Sequence, residues 1–85
     1  MNPRVKKVKP LDDYKLQLTF TNGEVRIFDV KPYLSKGVFR ELLDKELFNS
    51  VKPALGTIEW KSGQDFCPDT LYLESKSLAK MKRAA

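Results

Sequence analysis

The sequence predicts an α+β domain: a small antiparallel sheet of two hairpins plus an N-terminal edge strand, packed against short helices. Three observations lead there. Residues 14–20 alternate between apolar and polar and run straight into Asn22-Gly23. From Lys31 to Ser50 the apolar spacing lengthens to a helical pattern. A second, shorter alternation from Thr57 to Phe66 is interrupted by Gly63.

Taken in order, Arg4 to Pro10 is polar with two valines, which suits an edge strand closed by a residue that cannot donate to a ladder. Its lysines deter sheet-to-sheet aggregation. Leu11-Asp12-Asp13 reads as a turn. In Tyr14 to Phe20, Leu16, Leu18 and Phe20 face one way and Lys15, Gln17 and Thr19 the other. Asn22 and Gly23 tolerate positive φ, so a type I′ turn is expected at the hairpin tip. The return strand, Glu24 to Val30, places Val25 and Ile27 on one face and Phe28 and Val30 on the other, as in a strand covered on both sides.

Pro32-Tyr33-Leu34 suits a short helical turn. Val38, Phe39, Leu42 and Leu43 share one face of a helix that Ser35 would cap. Asp44 would cap a second helix, Lys45 to Ser50, with Leu47 and Phe48 turned inward. Pro53 and Gly56 then break the pattern. Thr57 to Trp60 resumes a strand, Lys61-Ser62-Gly63 turns it, and Gln64 to Phe66 is expected to pair back. Cys67-Pro68 opens a last helix with Asp69 in its first turn, where a negative charge suits the dipole. Leu71, Tyr72 and Leu73 give that helix its apolar side, and Leu78 and Met81 could extend it. Residues 1–75 are thus read as a single domain, and 76–85 as a basic C-terminal tail or frayed helix.

Composition narrows function by exclusion. At 85 residues with 41% apolar content the chain can fill one thin core. Its apolar runs are short, far below the roughly 20 residues of a membrane span. A soluble, cytoplasmic protein is expected. The single Cys67 forms no internal disulfide. The absence of histidine removes the commonest general base and the usual nitrogen ligand for zinc. The four glycines stand apart, so no phosphate loop exists. No enzyme activity, cofactor or metal is expected. Sixteen basic against eleven acidic side chains give a charge of +5, concentrated at the two ends.

Three stretches resemble the bacterial family called domain of unknown function 2442. They are Phe20 to Glu24 followed by Phe28-Asp29-Val30; Gly37-Val38-Phe39 with Leu42-Leu43-Asp44 and Leu47-Phe48; and, most specific, Ile58 to Tyr72. In the last, Trp60, Gly63, Asp65, Cys67, Pro68, Asp69, Leu71 and Tyr72 follow the family pattern. The resemblance implies an antiparallel sheet packed on short helices. It also implies a partner: members of the family often look like one half of a pair of small proteins, with a toxin–antitoxin role suggested. Some longer relatives carry a helix-turn-helix after this domain; segment 76–85 is too short for one.

The stretch from Trp60 to Tyr72 is the candidate interaction site, although each residue has a structural reading. Trp60 suits the core, Gly63 a turn, Asp65 backbone capping, and Pro68 a helix start. Cys67 is either a thiol activated at a helix start or a buried small hydrophobe. Asp65, Asp69 and Glu59 as an acid/base set would need a cleft that so small a domain rarely offers. The leading reading is a non-catalytic domain that binds a small partner protein, with strand addition at the edge Val5–Lys9 as one mode. The alternative is a nucleic-acid-binding regulator using the basic ends.

Overall fold

The alternating segments around Asn22-Gly23 form the centre of a computed structural model, which describes residues 3–77 apart from the side chain of Val38. Strands β1 (Val5–Leu11), β2 (Lys15–Phe20) and β3 (Val25–Asp29) make an antiparallel meander. A two-residue strand, β6 (Lys76–Ser77), adds to β3, and the sheet order is β1-β2-β3-β6. Strands β4 (Lys52–Ala54) and β5 (Thr57–Glu59) form a separate two-stranded sheet. Helix α1 spans Lys45–Phe48 and α2 spans Pro68–Glu74. The architecture is α+β, as expected. The sheet reaches two residues past the boundary drawn at residue 75. The proposed continuation through Leu78 and Met81, and the inward turn of Val38, lie outside the described residues.

Ladder direction decides which backbone groups are free. The Phe20 N–H donates to the Glu24 carbonyl at 2.9 Å and the Val30 N–H to Tyr14 at 3.0 Å, so even-numbered residues of β2 face β3. Thr19, Gln17 and Lys15 therefore bond to their partners Lys7, Lys9 and Leu11 on β1. Val5, Val8 and Pro10 turn their backbones outward. Pro10 has no N–H, and the Val5 N–H donates to the Gly56 carbonyl at 2.9 Å. The β1 edge is thus guarded at both ends. A bulge between Val5 and Lys7 irregularises it further.

The turns depart from expectation in an informative way. At the first hairpin only Gly23 has positive φ, at 88°. Its N–H donates to the Phe20 carbonyl at 3.0 Å, so the turn runs over Phe20–Gly23 and Gly23 serves as the left-handed residue of a three-residue loop. Asn22 instead accepts the Glu24 N–H at 3.0 Å, the local bond that asparagine side chains favour in turns. The two-residue loop with both φ values positive lies in β4–β5, at Leu55 (50°) and Gly56 (84°). β5 thus pairs primarily with β4. The expected partner, Gln64 to Phe66, meets it through the single bridge Glu59–Asp65 and the Trp60 N–H···Gln64 bond at 3.0 Å.

Gly37–Leu43 is a 3-10 segment, and Ser35 does not cap it; Lys36 precedes its first turn. With three residues per turn, Phe39 and Leu42 align while Leu43 rotates away. Leu42 is buried and Leu43 is 52% exposed. Asp44 does cap α1, its carboxylate accepting the Glu46 N–H at 3.0 Å.

The helices and 3-10 turns pack on the sheet face that carries Leu16, Leu18, Phe20 and Phe28. Aromatic rings run through this core in sequence: Tyr14 on Phe48 (centroids 5.3 Å), Phe48 on Trp60 (6.1 Å), Trp60 on Phe66 (5.9 Å) and Phe66 on Phe39 (4.8 Å). Ile27 is buried on the opposite face, in the row that carries Lys9, Gln17 and Lys76.

Candidate interaction site

The motif from Trp60 to Tyr72 divides into residues that build the fold and residues that face solvent. Trp60 is 1% exposed and its indole N–H donates to the Phe48 carbonyl at 2.9 Å. Gly63 takes φ 98° and closes its turn on the Trp60 carbonyl at 2.8 Å. Pro68 occupies the first turn of α2, and Leu71 is fully buried beneath it. Asp65, Cys67 and Asp69 are exposed. Cys67 is a free thiol preceding α2, with no side-chain cap bond. Asp65 stands opposite Glu59 across the antiparallel bridge, while Asp69 lies on α2. Among the described residues, no three potential metal-binding side chains cluster.

Tyr72 belongs to a network that sequence reasoning missed. Its hydroxyl donates to Glu24, and the Arg26 guanidinium lies 4.6 Å from its ring centroid. Arg26 also donates to the Ser75 hydroxyl at 2.8 Å, the Ser75 carbonyl at 2.7 Å and Glu24 at 3.1 Å. This ties the end of α2 to β3. Bonds from Tyr72, Asn22 and Arg26 hold the Glu24 carboxyl below its ordinary range, and Glu24 in turn raises the Tyr72 phenol. Nearby, Tyr33 donates to Glu74; that bond, together with burial, pushes the Tyr33 phenol up to about 12.

Among the described residues, two open grooves stand on the surface. The smaller, about 400 Å³, is lined by Phe39, Ser62, Gly63, Gln64 and Asp65, and so includes two motif residues. The larger, about 640 Å³, joins Tyr14, Leu34 and Leu43 to the charged groups Asp13, Lys31 and Arg40. None of these six belongs to the motif. Its wall is the β1–β2 turn, where Asp13 and Tyr14 take φ values of 63° and 58°. Left-handed conformations in consecutive non-glycine residues are costly, roughly 1–3 kcal/mol each, and persist only when neighbours enforce them. The enforcing contacts are specific: the Tyr14 hydroxyl donates to the Leu43 carbonyl at 2.5 Å and Lys31 pairs with Asp13 at 2.5 Å. Lys31 holds the Asp13 carboxyl below its usual range, chiefly through that bond.

The sequence feature that falls on this groove did not mark it. It was the adjacent pair Leu42-Leu43, which the helical spacing placed together on the apolar side; only the 3-10 winding separates them, burying Leu42 and exposing Leu43.

The fold and surface define a class: a small α+β domain whose motif is divided between core and surface and whose larger groove is apolar and charged. Within that class the chain belongs to the DUF2442 family, described as a protein of unknown function, whose model matches residues 5–77. No curated protein and no solved structure matches the chain.

Proposed function

We propose that this chain is a non-catalytic, cytoplasmic protein-interaction domain, the antitoxin-like or regulatory half of a small two-protein system. The observation that supports it is the larger groove, where a half-exposed leucine and a tyrosine held in a strained turn share a surface with Arg40. Apolar side chains rimmed by charge are the usual makings of a protein contact. The two-protein setting follows the family resemblance. Strand addition at β1 is disfavoured, because Gly56 and Pro10 guard that edge. The test is co-purification of the tagged chain from its native host, beside the variant Leu43→Asp. A stoichiometric partner retained by the parent and lost by the variant is expected. Retention by both would remove the groove from the contact, and recovery of the chain alone would reject the reading.

A second reading has its own observation. The ladder puts Lys7, Lys9, Lys15 and Lys76 on one sheet face, with Lys9, Gln17, Ile27 and Lys76 in a single row. Four lysines on one sheet face suit phosphate contacts. Salt-sensitive gel shifts of RNA or DNA, abolished by Lys9→Glu with Lys76→Glu, would favour it.

A further inference from the structure

The larger groove has a charge balance that names its occupant. Lys31 and Asp13 neutralise each other at 2.5 Å. Arg40 is exposed and makes no ion pair among the described residues. Among the described residues of the groove, the cation of Arg40 is therefore left over, beside an apolar surface of Leu43, Leu34 and Tyr14.

We propose that this groove receives a short segment of a partner protein in which an aspartate or glutamate stands beside a leucine-sized apolar side chain. The carboxylate meets Arg40, and the apolar group lies against Leu43, Leu34 and Tyr14. This rests on the interaction-domain reading and adds the chemistry of the partner.

Geometry supports the assignment in three ways. A guanidinium offers a planar fork that matches a carboxylate in two parallel bonds, so one unpaired arginine suffices to orient an acidic residue. The wall is preset: the Tyr14 ring packs edge-on against Phe48 at 5.3 Å while its hydroxyl holds the Leu43 carbonyl. A wall already fixed loses little freedom when a ligand docks, which reduces the entropic cost of binding. The chain's charge of +5 attracts an anionic partner and speeds encounter. A peptide fits better than a nucleic acid here, because the Tyr14 hydroxyl is engaged and Leu43 provides an aliphatic surface for a side chain.

The probe is a phage-displayed library of random heptapeptides, selected on the immobilised full-length chain. Enriched sequences should place Asp or Glu next to Leu, Ile, Met or Phe. A synthetic, fluorescein-labelled copy of the top sequence should bind in polarisation titrations, weakening with salt. Arg40→Glu and Leu43→Asp should each weaken it by about tenfold or more, the scale of loss when one side of a close charge pair or apolar anchor is removed. Both residues are exposed, and matching circular dichroism spectra would establish that the variants fold. Replacing the peptide's acidic residue by arginine should restore binding to Arg40→Glu. Peptides enriched without acidic residues, or binding indifferent to both substitutions, would overturn the assignment while leaving the interaction domain standing. Failure to enrich any peptide, together with no co-purifying partner, would remove both.

Discussion

Leu55 stands fully exposed at φ 50°, on a turn whose two central residues both take the left-handed region. A leucine there buries nothing and opposes its own backbone, whereas asparagine accepts that conformation through its short polar side chain. Leu55→Asn should stabilise the domain by about 0.5–1 kcal/mol, raising the thermal midpoint by roughly 2–8 °C. An unchanged or lower midpoint would show that the leucine has a contact in the folded state. Trp60 presents the opposite case. Replacing it by Phe removes the donor to the Phe48 carbonyl and leaves a void among the largest rings of the core. A loss of about 2–3 kcal/mol in urea unfolding is expected.

Within the elements, outward and inward positions of β1 differ in what a substitution does. Lys7 is exposed as a side chain, yet its backbone faces Thr19 on β2. Lys7→Pro should therefore cost about 1–3 kcal/mol by orphaning a ladder acceptor. Val8 turns its N–H outward, as Pro10 turns its missing one. Val8→Pro should cost less, despite the loss of some apolar packing by Val8. Equilibrium unfolding of the two variants checks the order, and a reversal would mean that the ladder runs in the other phase. The same logic makes β6 a working strand: Arg26 and Ile27 pair with Ser77 and Lys76, and Arg26 grips Ser75 just before them.

For the whole molecule, titration should bound stability on both sides. Glu24 and Asp13 have folded pKa values below their unfolded ones, so their contribution is present above the unfolded range, near pH 4, and is lost as pH falls through the folded values. Tyr33 and Tyr72 have raised values. Their contribution is present below about pH 10 and is lost as pH rises, for Tyr33 through about 12. Acid also adds to a chain already at +5, increasing self-repulsion. Urea midpoints should form a plateau from about pH 5 to 9 with a fall at each end. Tyr33→Phe should flatten the alkaline fall; an unchanged fall would dissociate Tyr33 from it.

Local patterns fixed much of this architecture. The alternation of Leu16, Leu18 and Phe20 needs only a sheet with one buried face, and the Asn22-Gly23 hairpin, the Asp44 cap and the Pro68 helix start follow from backbone chemistry within a few residues. The motif around Trp60 could be located from its residues, but not divided into core and surface. That division depends on which rings reach Phe48 and Phe66 through space. Three further features were decided by tertiary contact. The left-handed Leu55-Gly56 turn is clasped to Val5, the network around Arg26 joins residues 49 positions apart, and Leu43 faces out because the segment winds as a 3-10 helix. No local pattern encodes these, since each depends on what lies across the fold. The groove beside Arg40 is of the same kind: its walls come from the β1–β2 turn and a segment some thirty residues later, drawn together by the bond from Tyr14 to Leu43.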